Sequence, residues 1–414
     1  MKHGTPKAVV DLITKHIPAS SVSILEPAVG KGALLAPLLS KRLKSLKHLT
    51  AIDIDKTRLS ESKQLLAALG VVKQFENSDY LSWKGRKHCD CIIMNPPFNA
   101  KQKHCVSYEG LRIPIEAAFL LKSMTELRKS GTLIAILPAS IISGKNLTFV
   151  RQRLIENFSI KRVYELNKFS FPGIEGTFYV LIAKKGGNTK RLHLEKPFSE
   201  KSVSIKFNSE NISGQNYRLD FSYQLALIQL EQIQSSSDLS FDTLSEIASI
   251  DRGAISAPHI DEHILHTNKW RNGVWTAPNF PFCTTNNPTT NENDILVKRV
   301  SRNCHTTFGI YDGRSAAYSD CILRIRPKYE MPALELLFSI RTIYSGVIGQ
   351  HALVRGTGAK FITAESLSKI NVPVNLASVF SYEFSNYCKA INHNDYMASN
   401  NIEEKVLHQL LGAS

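Results

Sequence analysis

The chain lacks any stretch approaching the roughly 20 apolar residues that a membrane-crossing helix requires. Its first residues, Met1-Lys2-His3-Gly4-Thr5-Pro6, hold no apolar signal core, so a cytoplasmic protein is expected. Its 7 cysteines are odd in number and contain no CxxC pair, which excludes a disulfide framework and suits a reducing compartment. Cys89, Cys91 and Cys105 with His88 and His104 fit no zinc spacing, so no metal is expected. Cys91 instead alternates with apolar neighbours, as a buried strand residue would. There is no internal repeat and no low-complexity tract, and the near-ordinary hydrophobic and charged fractions leave no case for a disordered, collagen-like or coiled-coil chain,.

What is present reads as a globular protein with 43% hydrophobic and 21% charged residues over 414 positions, long enough for two domains,. Lys and Arg number 51 against 36 Asp and Glu, a net charge of +15, which favours a polyanionic partner through phosphate neutralisation.

Up to residue 186 the pattern alternates short β-branched runs with amphipathic helical stretches, the signature of a doubly wound α/β sheet. Strands are predicted at Val22 to Leu25, Leu49 to Ile54, Val71 to Phe75, Asp90 to Met94 and Thr132 to Leu137. Helices are predicted through Leu34 to Leu39, through Leu59 to Leu69, at Ile115 to Arg128 and at Leu147 to Asn157,. Ile160 to Glu165 and Thr177 to Ala183 are joined by too few residues for a crossover helix, so they should pair antiparallel and finish the sheet. Gly186-Gly187-Asn188 marks a boundary between a domain at 1–186 and a mixed α+β domain at 187–414. The second holds short strands, loops and one long amphipathic helix through Leu334 to Ile343.

The chemistry concentrates at the predicted strand ends. Glu26-Pro27-Ala28-Val29-Gly30-Lys31-Gly32 follows the first strand, where glycines let a ligand approach the backbone,. It is not a phosphate loop, because Lys31 precedes Gly32 rather than Ser or Thr,. Asp53, about 20 residues on, stands where acidic residues hold ribose hydroxyls, while Asp55 caps the next helix,. Asp79-Tyr80 closes the third strand, placed to accept from an adenine amine and to pack on its ring.

The fourth strand feeds Asn95-Pro96-Pro97-Phe98. An exocyclic amine on a base is a poor nucleophile because its lone pair is delocalised into the ring. The Asn95 side-chain oxygen and the Pro96 carbonyl can accept both amine hydrogens and draw the nitrogen towards tetrahedral geometry. Pro96 and Pro97 stiffen the loop, and Phe98 offers a face for a flipped-out base.

This ordered series resembles the N6-adenine DNA methyltransferases in their gamma arrangement, with cofactor motifs first, the catalytic motif next and a recognition domain last. The resemblance implies a Rossmann-like class I methyltransferase sheet with an antiparallel final hairpin, S-adenosylmethionine as cofactor and double-stranded DNA as partner. It also implies that Thr5-Pro6 begins a segment closing over the methionine part of the cofactor, and that Phe171, before Pro172, stacks on the flipped base opposite Phe98. More faintly, Leu244 to Gly253 and Gly356 to Pro373 resemble the flanks of recognition domains in type I specificity subunits. Between them, Lys298, Arg299 and Arg302 are candidate phosphate contacts. The resemblance further implies a bacterial or phage-encoded protein working at the nucleoid, with room for a separately encoded restriction endonuclease, since no helicase or nuclease motif is found. Two alternatives stay open: the same fold acting on the guanine N2 of ribosomal RNA or on a protein glutamine, and a DNA-binding relative that has lost activity.

Overall fold

The computed structural model describes residues 4–41, 43–85, 88–98, 105–166, 170–171, 176–197, 201–206, 209–214, 216–271, 273–278, 281, 287–328, 331–356 and 359–412. The chain divides into two compact units, 1–222 and 223–414.

The N-terminal unit runs α1 (Lys7–Thr14), β1 (Ser23–Glu26), β2 (His48–Asp53), α2 (Lys56–Leu65), β3 (Val72–Asn77), β4 (Cys89–Met94), β5 (Cys105–Tyr108), β6 (Leu111–Pro114), α3 (Ile115–Glu126) and β7 (Leu127–Pro138). It continues with α4 (Ala139–Ile142), α5 (Thr148–Asn157), β8 (Phe158–Glu165), β9 (Phe178–Lys185), β10 (Arg191–Lys196) and β11 (Lys201–Lys206). Among the described residues, nine strands form one sheet in the order β11-β10-β8-β9-β7-β4-β1-β2-β3. The run β3-β2-β1-β4-β7 is parallel, and β9 enters antiparallel between β7 and β8. This is the doubly wound α/β sheet with an antiparallel hairpin that the pattern called for.

Three local expectations are corrected. The helix expected through Leu34 to Leu39 is a single 3₁₀ turn, Ala36–Leu39, because Pro37 supplies no amide proton and suits only the first turn of a helix. A β5-β6 hairpin that the pattern did not suggest turns on Glu109 and Gly110, both at positive φ (50° and 76°). The third concerns the boundary at 186. Gly186 and Gly187 (φ 78° and 75°) make a turn rather than a linker, and β10 returns to pair parallel with β8. The sheet therefore continues past the hairpin, and the compact unit extends to residue 222.

Alternation sorts each strand between the two faces. Ile24, Leu49, Ala51, Cys91, Ile93, Ile134 and Ile136 share one core with Val9, Val10 and Ile13 of α1. Counting by twos along the same strands, that face ends in Glu26 on β1, Asp53 on β2 and Asn95 just past β4. The buried face thus delivers three polar side chains to one end of the sheet.

In the C-terminal unit, among the described residues, a six-stranded sheet orders Ala248–Arg252, Ile322–Pro327, Ile295–Lys298, Gly309–Tyr311, Val274–Trp275 and Trp270–Arg271. The expected long helix is Ala333–Tyr344, with Leu336, Leu337, Ile340 and Ile343 buried. It has company, however: Phe221–Gln234, Ser381–Asn392 and Tyr396–Leu410 are also helical. Tyr396–Leu410 is announced by Asp395, whose carboxylate caps the Ala398 amide, a start signal carried by a polar run rather than by apolar periodicity. The segments resembling recognition-domain flanks come together: the Leu244 amide donates to the Ile370 carbonyl at 2.8 Å, and Phe241–Thr243, just before the first segment, pairs antiparallel with Asn371–Pro373. Among the described residues no helix is long and apolar enough to cross a membrane.

Candidate active site

A cavity of about 850 Å³ opens at the carboxyl ends of β1, β2, β3 and β4, where parallel α/β sheets place their ligands. Of the residues singled out in the sequence, Thr5, Glu26, Pro27, Ala28, Gly30, Asp53, Asp79, Tyr80, Asn95 and Pro97 line it.

The turn after β1 is held by the carboxylate that ends β2. Asp53 accepts from the Gly30 amide at 2.7 Å and from the Asp55 amide at 2.9 Å, and Gly30 supplies the φ of 52° that this turn needs,. Asp53 therefore shapes the glycine turn as well as facing the cavity. Asp55 caps α2 as expected, accepting from the Thr57 and Arg58 amides. Gly32 does not line the cavity. It stands at φ 86° with Ser62 and Leu65 of α2 only 3.2 Å from where a side chain would begin, so its role is close packing of turn and helix.

Glu26 is 1% exposed, and its Oε2 has no hydrogen-bond partner among the described residues. Burial, reinforced by the charge of Asp53, holds its carboxyl well above the ordinary glutamate range,. A buried carboxyl with an open oxygen on a cavity wall is suited to a cationic ligand group. Asp79, which also lines the cavity, is exposed and accepts from the Leu81 amide at 2.9 Å. Tyr80 is buried, 5.0 Å from Phe119 ring to ring, with its hydroxyl 3.1 Å from Ser123 Oγ and Lys122 Nζ 5.0 Å from its ring centre.

Sequence reasoning missed the apolar part of this wall. Ile54 lines the cavity while 75% exposed, and Val106, Ile115 and Phe119 come from the β5-β6 hairpin and α3. For Ile54 the signal was there, an aliphatic residue between two aspartates at a strand end. Val106 carried none, because the hairpin that brings it in was not foreseen; Ile115 and Phe119 lie on the helix expected at Ile115 to Arg128, but nothing in its pattern marked them as facing the cavity.

Asn95 donates from Nδ2 to Thr5 Oγ1 at 3.0 Å, and its Oδ1 is buried without a partner among the described residues. Pro96 is buried behind it. Phe98 and Phe171 both pack on Phe178, each with ring centres 4.8 Å from it. Phe171 is 5% exposed, so its face is given to Phe178 rather than to open space, and Pro172 lies outside the described residues.

The three candidate phosphate contacts are in the C-terminal unit. Arg302 is exposed. Arg299 donates from Nε to the Asp320 carbonyl at 2.7 Å, beside Arg252, which pairs with the Asp320 carboxylate at 2.6 Å. Lys298 lies 5.3 Å from the Trp270 ring centre, and partial burial lowers its pKa,. Gly356 stands at φ 94°, and Phe361 bridges to both Arg355 and Val300. Thr357 and Gly358 lie outside the described residues.

Comparison with known proteins points the same way. The chain is 25% identical over 203 residues to the type II methyltransferase M.HincII of Haemophilus influenzae, covering 45% of this chain and 37% of that protein. It is 25% identical over 201 residues to the type II restriction enzyme and methyltransferase RM.BcgI of Heyndrickxia coagulans, covering 44% of this chain and 31% of that one. The chain thus spans about a third of the length of these curated relatives. A solved structure of the type IIG restriction endonuclease BpuSI aligns over 97% of this chain and 64% of its own, at 12% identity and a TM-score of 0.49. Residues 35–171, which include β4, Asn95 and Phe98, match the profile of the Eco57I restriction-modification methylase family.

Proposed function

We propose that this protein transfers a methyl group from S-adenosylmethionine to the N6 amine of an adenine flipped out of double-stranded DNA, as the modification activity of a restriction-modification system. The observation that carries the proposal is the buried, unpartnered Oδ1 of Asn95 on the wall of a cavity whose other walls suit this cofactor. The donor set fits each part of it. Glu26 answers an ammonium, Asp53 ribose hydroxyls, and Asp79 with Ile54, Tyr80 and Phe119 an adenine with one amine edge and two apolar faces. When bound, the cofactor supplies an electrophilic methyl on a sulfonium.

The chain's own part is to present the amine. Asn95 Oδ1 and the Pro96 carbonyl accept its two hydrogens, which localises the nitrogen lone pair for attack. That nitrogen would take the methyl from the bound sulfonium, leaving a thioether, and the surplus amine proton would pass to solvent afterwards, so no general base is required. Orientation and preorganised acceptors supply most of the acceleration.

In this reading residues 1–186 carry the chemistry, the chain follows the gamma order, and the C-terminal region reads the DNA sequence, with Lys298, Arg299 and Arg302 near its phosphates. Phe98 is the stacking face for the base, and Phe171 joins it only if it leaves Phe178. A restriction endonuclease, encoded separately, is the partner proposed for the system. Support comes from the family match over 35–171 and from the excess of basic residues. The test is transfer of labelled methyl to plasmid DNA followed by nucleoside separation. N6-methyladenine is expected; label found instead in ribosomal RNA or in protein, with DNA unlabelled, overturns the proposal.

A further inference from the structure

We propose that Thr5 is a positioning residue for methyl transfer: its hydroxyl holds the Asn95 amide so that Oδ1, rather than Nδ2, meets the target amine. This rests on the amine-transfer reading above and assigns to Thr5 a task distinct from contact with the cofactor.

An asparagine amide has an acceptor end and a donor end of nearly equal size. Only the acceptor end helps an amine, since Nδ2 would meet the amine's hydrogens donor to donor. A half turn of the amide plane therefore converts a helpful contact into a repulsive one, and something must set that plane. The sheet supplies the placement. Asn95 continues the alternation of Cys91 and Ile93, whose face is covered by α1, so its side chain emerges beside the residue that precedes Pro6. The Thr5 oxygen stands 3.0 Å from Nδ2.

Thr5 is itself fixed. The Pro6 carbonyl accepts from the Val9 and Val10 amides at 3.0 Å each, Val9, Val10 and Ile13 are buried, and Lys41 Nζ holds the Thr14 carbonyl at 2.7 Å at the far end of α1. The hydroxyl is thus presented from a short helix docked on the core. With Nδ2 committed to it, Oδ1 is left buried and unpartnered among the described residues, on the cavity that Thr5 also lines. A buried acceptor kept open is costly unless a ligand donor fills it, which is what the amine hydrogen does. Valine in place of Thr5 keeps the shape and removes the acceptor; serine keeps the acceptor.

The experiment compares wild type, Thr5→Val and Thr5→Ser in single-turnover transfer to DNA at saturating S-adenosylmethionine, with cofactor affinity by calorimetry and melting temperature as a check on folding. Thr5→Val should transfer about 100-fold more slowly, the scale of loss for a misplaced reacting group, with cofactor affinity within about threefold. Thr5→Ser should recover most of the rate. A Thr5→Val enzyme as fast as wild type at saturation, one slowed only through weaker cofactor binding, or a Thr5→Ser enzyme equally slow overturns the proposal. A second measurement does not depend on activity. The Asn95 side-chain amide resonances, identified by their loss in Asn95→Asp, should move in Thr5→Val and return in Thr5→Ser. If wild type methylates no DNA, the functional reading fails on its own, and unmoved resonances in Thr5→Val would separately refute the tie.

Discussion

In residues 1–222, Glu26 Oε2, Ser78 Oγ and Asn95 Oδ1 are buried polar atoms with no described partner, and all three residues line one cavity. In residues 223–414 the buried side chains of Arg341, Glu403, Asp294 and Arg324 meet countercharges instead. Arg341 Nε lies 2.6 Å from Glu403 Oε1, Arg326 Nε lies 2.7 Å from Asp294 Oδ1, and Arg324 pairs with Asp251. The difference teaches how to separate chemistry from scaffolding in one molecule. A buried polar atom costs free energy until something pairs with it. Where the partner is another side chain, the pair builds the fold; Ser21 Oγ, His305 Nδ1 and Tyr318 Oη also lack a described partner, so it is the cavity shared by Glu26, Ser78 and Asn95, and not an open atom alone, that marks a ligand site,.

Substitutions can break or sharpen this contrast. The largest effect is expected at the open atoms. Asn95→Ala should slow methyl transfer by about 10³-fold, on the scale of removing a preorganised transition-state partner, while calorimetry finds cofactor affinity within about threefold of wild type. Near-normal transfer in that variant would remove Asn95 from the mechanism.

Next comes a closed pair. Arg341 and Glu403 are 0% and 6% exposed in their side chains, so Glu403→Ala strands a buried guanidinium and should cost about 3–5 kcal/mol in denaturant unfolding of the protein. Cofactor binding at 25 °C should survive in the fraction that remains folded. Replacing both residues by apolar ones should recover most of the loss, because a buried pair is worth little more than good apolar packing.

Glu26→Gln lies between the two classes. It should weaken S-adenosylmethionine by about 100-fold, roughly 2.7 kcal/mol, by removing the countercharge for the ammonium. The ligand-free protein should respond in the opposite sense. Because burial raises the Glu26 pKa above the usual 4.5, the neutral carboxyl favours the folded state below that value, and this contribution is lost as pH climbs through the raised one. Glutamine imitates the neutral form, so its melting temperature relative to wild type should be higher at pH 8 than at pH 5. A difference that runs the other way with pH would mean that Glu26 is charged in the empty site. The smallest effect belongs to Asp55→Ala, which removes a cap from α2 and should cost about 1 kcal/mol in denaturant unfolding.

The site was more legible in the sequence than the fold around it. Glu26, Asp53 and Asn95 could be placed at strand ends because alternation along β1, β2 and β4 carries through to them, and Asp79 because it follows the end of β3,. The β5-β6 hairpin escaped notice because its turn is Glu109-Gly110, where Asn-Gly or Asp-Gly would have signalled a two-residue loop. The strand Arg191–Lys196 announces itself by alternation, with Leu192 and Leu194 buried, yet the glycine pair before it reads as a linker when only local sequence is weighed. The tie between Thr5 and Asn95 spans 90 residues, and no local pattern encodes a contact between a chain terminus and a strand end. In the C-terminal unit, the cations of the 298–302 segment looked alike on paper. Folding separates them into an exposed Arg302, an Arg299 held at Asp320 and a Lys298 laid against Trp270.

The central claim is that the open oxygen of Asn95 serves an adenine amine in DNA. Long-read sequencing of DNA from a methylation-free host, expressing either the wild-type protein or Asn95→Ala, tests it most directly. The account predicts N6-methyladenine at a defined sequence with wild type and none with the variant. Unmodified adenine in both, or modified adenine in both, would contradict it.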